Sequence, residues 1–187
     1  NSTILSSTDG KIYTSTSFGL TVPVRALASY RGKLWIGTGR DTDNLSKLYT
    51  WDGTTRVLVR TFVQPQINTF TVAHAKLFVG TGSDSGLNSA TVYYYDGLQW
   101  SLTLSVQAVN IDTLMYSTTD SRIWAGLEGG SVYALSFKET GELETWTQVY
   151  DGDANTYYSI SDDPNGDYVW LCSDTGLTIY SKSAAAF

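Results

Sequence analysis

The stretch Gly32-Lys33-Leu34-Trp35-Ile36-Gly37-Thr38-Gly39 decides the fold, because it occurs four times along the chain in altered form. The further copies are Ala75-Lys76-Leu77-Phe78-Val79-Gly80-Thr81-Gly82, Ser121-Arg122-Ile123-Trp124-Ala125-Gly126 and Asp167-Tyr168-Val169-Trp170-Leu171-Cys172-Ser173. The aromatic residues at 35, 78, 124 and 170 are separated by 43, 46 and 46 residues. A repeat of this length, made of short alternating segments, is typical of the blades of a β-propeller.

Four strands are expected in each repeat, and the quoted stretch is the second of them. An apolar strand precedes it, and a Tyr-bearing strand and a fourth strand follow it. The expected first strands are 24–30, 67–74, 111–117 and 157–161; the third are 47–51, 91–95, 131–137 and 177–180; the fourth are 56–62, 99–104 and 145–150. Apolar residues at helical spacing are lacking, so we predict an all-β fold of four-stranded antiparallel blades with almost no helix.

The repeats divide residues 1–187 into approximately 1–20 (partial), 21–63, 64–106, 107–152 and 153–187 (partial), read as a single propeller domain. Residues 3–16 resemble a hairpin of second and third strands, and the last repeat has no fourth strand. Pairing of strands from both ends would remove exposed edges. Three closures fit: a ring of four blades, a five-bladed ring with an incomplete blade, or an arc of a longer propeller. We favour about four to five blade equivalents.

The composition narrows the classes of function. Hydrophobic residues make up 42% of the 187 residues and aromatic residues 13%, which predicts a folded chain with a sizeable core. Twelve Lys and Arg against 18 Asp and Glu give a net charge of −6, with the basic residues scattered. Binding to nucleic acid and insertion into membranes are therefore not expected. The single cysteine excludes an internal disulfide.

Two resemblances extend over nearly the whole chain. Gly32-Lys33-Leu34-Trp35-Ile36-Gly37-Thr38 resembles the core of the sensor propellers attached to bacterial two-component regulators. Leu48-Tyr49-Thr50-Trp51-Asp52-Gly53 and Tyr93-Tyr94-Tyr95-Asp96-Gly97-Leu98-Gln99-Trp100 are more similar to kelch-type blades and to repeats of phage tail and adhesion proteins. The diagnostic double glycine of kelch repeats is missing. Both resemblances imply a propeller fold, and their motifs are structural.

The repeated aromatic residues, the single cysteine and the single histidine are all interpreted as structural. The ring of Trp35 and its equivalents Phe78, Trp124 and Trp170 should fill the space between blades. Cys172, beside Trp170 in the same strand, is expected to be a small buried residue rather than a nucleophile. His74, the only histidine, is placed in a turn between the first two strands, with no nucleophile or acid beside it. We therefore expect that the chain is not an enzyme.

One candidate ligand site comes from superposing the first strands of the repeats. This superposition places Arg25, Asn68, Asp112 and Tyr158 at the same position, near the mouth of a central channel. Propellers often bind ligands at such a mouth, and an Arg–Asp pair could orient a polar or sugar-like ligand. The competing interpretation is that these side chains satisfy one another around a water-filled channel.

The second candidate site is a set of long loops between second and third strands. The proposed loop contacts are Arg40, Asp41, Asp43, Asn44, Asp84 and Asn88. Asp41 and Asp43 offer oxygen ligands at alternating spacing, which suits calcium. Because no bidentate Glu follows at the required distance, we treat these as a weak calcium candidate, and no metal or other cofactor is predicted.

These observations predict a non-enzymatic recognition or adhesion module that binds a protein or glycan through the loop face of a β-propeller. Tyr, Asn, Ser and Gly in the loops suit adaptable contacts. The alternative is a structural component of a phage virion, in a tail or capsid appendage, where the propeller serves assembly into an oligomer or larger particle. Either function places the protein outside the cell or on a virion surface.

Overall fold

A computed structural model describes residues 3–7, 10–11, 14–83, 89–108, 110–151, 155–163 and 165–184. These residues form antiparallel strands and contain no helix, so the all-β prediction is confirmed. Consequently, this part of the chain holds no helical segment with the length and hydropathy required to cross a membrane. The chain divides into two compact units, Asn1–Ile67 and Asn68–Phe187.

The first unit contains a hairpin and one four-stranded sheet. The hairpin pairs β1 (Thr3–Ser6) with β2 (Thr14–Ser17). The first sheet has the order β3-β4-β5-β6, with bounds β3 (Val24–Tyr30), β4 (Lys33–Thr38), β5 (Ser46–Trp51) and β6 (Arg56–Phe62). Consecutive strands pair because short turns join them, and such turns favour antiparallel neighbours.

The remaining strands form three sheets, of which the second begins at the boundary between the units. The second sheet comprises β7 (Gln66–Ala73), β8 (Lys76–Gly82), β9 (Ala90–Tyr95) and β10 (Trp100–Val106). The third comprises β11 (Ile111–Ser117), β12 (Arg122–Leu127), β13 (Ser131–Phe137) and β14 (Leu143–Asp151). The fourth has three strands, β15 (Tyr157–Asp162), β16 (Tyr168–Ser173) and β17 (Gly176–Ser181). The predicted strands agree with these bounds to within two residues at each end.

The turns follow the chemistry of their residues. Asp52, in the turn between β5 and β6, accepts hydrogen bonds at Oδ1 from the backbone N–H groups of Thr54 and Thr55, at 2.9 and 2.8 Å. Gly53 follows with a φ of 108°, a conformation that glycine adopts without steric cost. The turn between β7 and β8 places His74 at a φ of 45°, as its predicted position in a tight turn requires.

The sheets of the second unit pack face to face in chain order. Phe78 of the second sheet packs with Ile123 and Ala125 of the third, while Trp124 packs with Val169 and Leu171 of the fourth. Successive side chains of the central strand therefore contact opposite neighbours, as the alternation of a strand requires. The same packing mode is used twice, which explains the repeated sequence.

The glycines two residues after Phe78 and Trp124 permit the close approach of the following sheet. A Cβ atom at Gly80 would lie 2.6 Å from Thr69 Cγ2 and 3.0 Å from Ile111 Cγ2. At Gly126, a Cβ would lie 2.9 Å from the Cβ of Tyr157, at the start of the fourth sheet. Real Cβ atoms essentially never approach a neighbour closer than 3.0 Å, so a side chain at Gly126 would push the third and fourth sheets apart. A side chain at Gly80 would displace Thr69 of the same sheet and press tightly on Ile111 of the third sheet.

The predictions for Trp170 and Cys172 are wrong. Trp170 is 38% exposed, whereas Trp124 at the equivalent position is fully buried. Cys172 is exposed as well. The reason is that both side chains lie on the outer face of the fourth sheet. Among the described residues of the second unit, no following sheet packs on that face. Cys172 also occupies the position that is glycine in the second and third sheets, where close packing leaves no room for a side chain.

Candidate functional site

Three of the predicted channel-mouth residues share one backbone feature, a β-bulge in the first strand of their sheet. The register passes over Arg25 between Val24 and Ala26, over Asp112 between Ile111 and Thr113, and over Tyr158 between Tyr157 and Ser159. A bulge residue has no partner in the ladder, and its side chain is turned from the regular alternation. The superposition of repeats therefore identified equivalent positions. Arg25 belongs to the first unit, and the other predicted residues belong to the second.

Asn68 joins a polar cluster that connects the second and third sheets. Its Nδ2 donates to Asn110 Oδ1 at 3.1 Å and to the carbonyl of Ile111 at 3.3 Å. Asn110 Nδ2 in turn donates to the carboxylate of Glu128. Gly82 bridges to Asn110, and a Cβ at Gly82 would lie 1.8 Å from Asn110 Oδ1. The sequence pattern did not single out Asn110 or Glu128, although Asn110 directly precedes a predicted strand and Glu128 directly follows β12.

The other channel-mouth residues differ in exposure. Tyr158 is 61% exposed, whereas Asp112 is half-buried and its Oδ2 atom is inaccessible to solvent. Arg25 is exposed.

The loop of the first sheet is organised by the carboxylate of Asp41. Its Oδ1 accepts hydrogen bonds from the backbone N–H groups of Asp43 and Leu45, both at 2.9 Å. Its Oδ2 lies 2.7 Å from Nζ of Lys47, at the start of β5. Asn44 adopts a φ of 63°, which closes the turn between these donors. Both oxygens of Asp41 are thus engaged by the chain itself.

The ion pair sets the protonation of the loop. The hydrogen bond from Lys47, together with those from the backbone, lowers the pKa of Asp41 below its ordinary value. The same contact raises the pKa of Lys47. Both groups are therefore charged at neutral pH. No cluster of three or more His, Cys, Asp or Glu side chains that could hold a metal ion occurs among the residues the structure describes.

A cavity of about 470 Å³ adjoins this loop within the first unit. Arg56 spans one wall: its guanidinium lies 4.9 Å from the centroid of the Tyr49 ring and donates a hydrogen bond to the carbonyl of Phe18. The segment that carries Phe18 packs by Phe18 and Leu20 against Ile36 and so holds the opposite wall. The lining comprises Gly19, Leu20, Thr21, Val22, Arg40, Asp41, Thr42, Lys47, Tyr49 and Arg56.

Part of this cavity was predicted from the sequence. Arg40 and Asp41 line it, and Asp43 and Asn44 shape the loop beside it. Asp84 and Asn88 lie outside the described residues. The other eight lining residues were not predicted. Among them, Lys47, Tyr49 and Arg56 lie within strands, where their positions marked them as parts of the repeat rather than of a site.

Comparison with known proteins identifies the fold but no family. No protein family and no curated protein matches the sequence. The extracellular domain of the candidate one component system BT4673 from B. thetaiotaomicron superposes with a TM-score of 0.66 at 22% identity over 92% of this chain. A chain of the nidogen/laminin complex superposes with a TM-score of 0.64 at 8% identity over 91% of this chain. The computationally designed Ika8 protein superposes with a TM-score of 0.58 at 16% identity over 88% of this chain.

All three solved chains extend beyond the matched region. This chain spans 22% of the chain of the BT4673 extracellular domain, 65% of the chain from the nidogen/laminin complex and 47% of the designed protein. At these identities the likeness shows an all-β architecture of antiparallel sheets that other proteins share. It does not assign a functional role to any residue of this chain.

Proposed function

We propose that this chain is a non-enzymatic recognition module that binds a protein or glycan partner outside the cell, and that its sheets are blades of a β-propeller. The repeated face-to-face packing of the second, third and fourth sheets supports the propeller arrangement. Likeness to an extracellular sensor domain and to a chain of the nidogen/laminin complex supports an extracellular binding role.

The observation that carries this proposal is the cavity beside the Asp41 loop. Its walls come from the 19–22 segment, from the loop at 40–42 and from strands β5 and β6. The loop is held by three contacts to one carboxylate, so it is ordered before a ligand arrives. Such preorganisation reduces the entropic cost of binding.

The electrostatics of the cavity favour binding over catalysis. A general acid or base works best with a pKa near the operating pH. Here the pKa of Asp41 is lowered and that of Lys47 is raised, each by the other, so both move away from neutrality. A charged, paired lysine is also a poor nucleophile.

An array of glycans and extracellular proteins tests the recognition function. The labelled chain is applied beside the variant Arg40→Gln and beside Lys138→Gln, an exposed cation of the second unit. We expect a specific set of ligands to bind the chain and Lys138→Gln equally, and Arg40→Gln at least about fivefold more weakly. Absence of any specific ligand, or equal losses in the two variants, would contradict a recognition role for this cavity.

A second candidate function, assembly as a structural component of a virion or similar particle, is favoured by the outer face of the fourth sheet. Trp170, Leu177 and Ile179 expose 38%, 59% and 48% of their surface there. We propose as occupant a neighbouring copy of the chain, since the equivalent faces of the second and third sheets are covered by a sheet. Cys172 would prevent packing as close as at Gly126, so the contact must be looser.

Light scattering tests this candidate. A defined oligomer that becomes a monomer in Trp170→Ser, and persists in Val63→Ser, would support assembly through the fourth sheet. Val63 is an equally suitable control because it is exposed and belongs to the first unit. A monomer at all accessible concentrations would exclude assembly through this face.

A further inference from the structure

We propose that the outer face of the fourth sheet docks on the first sheet of a neighbouring copy in a head-to-tail contact. The inference rests on the assembly function proposed above and names the surface that receives Trp170. This receiving surface is the Leu27 face of the first sheet, defined by the cross-strand partners Leu27, Ile36, Tyr49 and Leu58. Cross-strand partners lie on the same face of a sheet, so the row extends over all four strands.

The two contacts between sheets of the second unit described above each join unlike faces. The face that carries Phe78 packs on the Ala125 face of the third sheet. The face that carries Trp124 packs on the Leu171 face of the fourth sheet. Ala125 and Leu171 each directly follow the repeated aromatic residue, and Ile36 holds the same position in the first sheet. The face that carries Ile36 therefore corresponds to the receiving faces of the third and fourth sheets.

The β3 end of the Leu27 face is open to solvent. Leu27 is 46% exposed, whereas its equivalents Leu114 and Ile160 are 6% and 7% exposed. The three residues are equivalent because each is the cross-strand partner of the residue that follows the repeated aromatic residue. Leu114 and Ile160 are buried in the two clusters to which the preceding sheet contributes. The exposure of Leu27 therefore marks a position that a docked sheet would cover.

The 18–22 segment covers the middle of the Leu27 face and leaves its other end open as well. Phe18 and Leu20 pack against Ile36, which is fully buried. Leu58, at the β6 end of the row, is half exposed. Apolar surface that a second copy can remove from water therefore remains on both sides of this segment.

The outer face of the fourth sheet shows the matching deficit. Leu177 exposes 59% of its surface, whereas Val92 and Val132 at the equivalent position are fully buried. Each of the three is the cross-strand partner of the residue at the glycine position, which is Cys172 in the fourth sheet. One docking face and one receiving face are thus exposed in each copy. A single kind of head-to-tail contact between successive copies covers both.

The two faces also agree in the spacing that they require. Cys172 replaces the glycine that brings the internal sheets together, so a sheet cannot approach this face as closely as at Gly126. The 18–22 segment lies on the Leu27 face and likewise holds a docked sheet away from it. A contact wider than the internal ones therefore suits both partners, and the Cys172 side chain and the 18–22 segment fill the added space.

A mixing experiment with two variants tests the direction of the contact. Trp170→Ser impairs the docking face and leaves the Leu27 face intact, whereas Leu27→Ser does the reverse. In light scattering, we expect each variant alone to be monomeric at concentrations where the unmodified chain is an oligomer, with a dissociation constant raised at least about tenfold. An equimolar mixture should contain a dimer of the two variants, because the intact Leu27 face of one receives the intact outer face of the other.

Val63→Ser and Leu98→Ser are the matched controls for the first and the second unit. Both residues are large, apolar and exposed, and neither belongs to the two faces defined above. Each control should assemble as the unmodified chain does. Recovery of the dimer on mixing also shows that both interface variants are folded, since a misfolded copy would offer no intact face.

The proposal is overturned if Leu27→Ser alone assembles as the unmodified chain does, if the mixture contains only monomers, or if a control loses assembly to the same extent. An oligomer lost in Trp170→Ser alone would leave assembly through the fourth sheet standing and show that this face pairs with itself. A chain that is monomeric at all accessible concentrations would contradict the assembly function and this inference together.

Discussion

Nζ of Lys47 lies 2.7 Å from Oδ2 of Asp41, and the other oxygen of that carboxylate holds two backbone N–H groups of the same loop. One side chain therefore performs two tasks: it shapes the loop and it neutralises a cation on the wall of the cavity. A calcium ion at Asp41 would have to displace these partners. The loop is ordered by the chain alone.

The variant Asp41→Ala should loosen the loop without unfolding the sheet. We expect hydrogen exchange at the amides of Asp43 and Leu45 to accelerate about tenfold or more, because both lose their acceptor. The control is Asp43→Ala, which keeps the Asp41 carboxylate and should leave the exchange of Leu45 unchanged. Equal protection in both variants would show that Asp41 does not organise the loop.

Asp52 should make stability depend on pH at the acidic end. Hydrogen bonds from Thr55 and Thr54 lower the pKa of Asp52 from 3.8 to about 2 in the folded chain. Because the pKa of Asp52 is lower in the folded chain than in the unfolded chain, its carboxylate stabilises the fold fully at pH values above 3.8. This stabilisation is lost as the pH falls through the folded pKa of about 2. The difference in Tm between the chain and Asp52→Ala should therefore be largest near pH 5 and shrink towards pH 2.

Thermal unfolding at several pH values measures that difference. Glu139→Ala serves as control, because Glu139 is exposed and lies in another turn. Its Tm difference from the chain should stay small and constant over the same range. A constant difference for Asp52→Ala as well would mean that its hydrogen bonds do not favour the charged form.

Gly126→Ala should destabilise the second unit. The added Cβ would lie 2.9 Å from Thr113 Cγ2 and 2.9 Å from Tyr157 Cβ, so the third and fourth sheets must move apart. We expect a loss of about 1–3 kcal/mol in the free energy of unfolding, measured by urea titration. Cys172→Ala, at the equivalent but exposed position, should be close to neutral. A neutral Gly126→Ala would contradict the close packing of these sheets.

Trp124 and Trp170 should respond differently to the same truncation. Trp124→Ala removes a fully buried ring from between two sheets and should cost about 3–5 kcal/mol. Trp170→Ala removes a ring that is 38% exposed on the outer face and should cost about 1 kcal/mol or less in the isolated chain. Equal losses in urea unfolding would indicate that the outer face of the fourth sheet is covered in solution.

Much of the local structure was predictable from the residues. The first strands at Val24–Tyr30 and Ile111–Ser117 agree with the prediction at both ends, because alternating apolar residues bounded by turn signals specify a strand locally. Superposition of the sequence repeats predicted that Arg25, Asp112 and Tyr158 occupy equivalent positions. In the structure, each of them lies at the β-bulge of its sheet's first strand. Of the cavity, Arg40 and Asp41 were found because they stand in a long polar loop.

The prediction failed where exposure depends on what packs against a face. Trp170 and Cys172 follow the same sequence pattern as buried residues of the earlier repeats, yet both are exposed. The repeated sequence pattern specifies the strand itself, but it does not specify whether another sheet packs against that strand. The replacement of glycine by Cys172, together with the missing fourth strand, was a local sign that this sheet differs.

The sequence by itself determined the strands, their antiparallel order and the number of sheets, since hairpin-linked ladders form between residues close in the chain. Only the tertiary structure decided where a ligand could bind. The cavity joins the 19–22 segment, the loop at 40–42 and Arg56 of β6, and these meet only because Phe18 and Leu20 pack against Ile36 and Arg56 binds the carbonyl of Phe18. Contacts between segments far apart in the chain depend on packing, which no local pattern encodes.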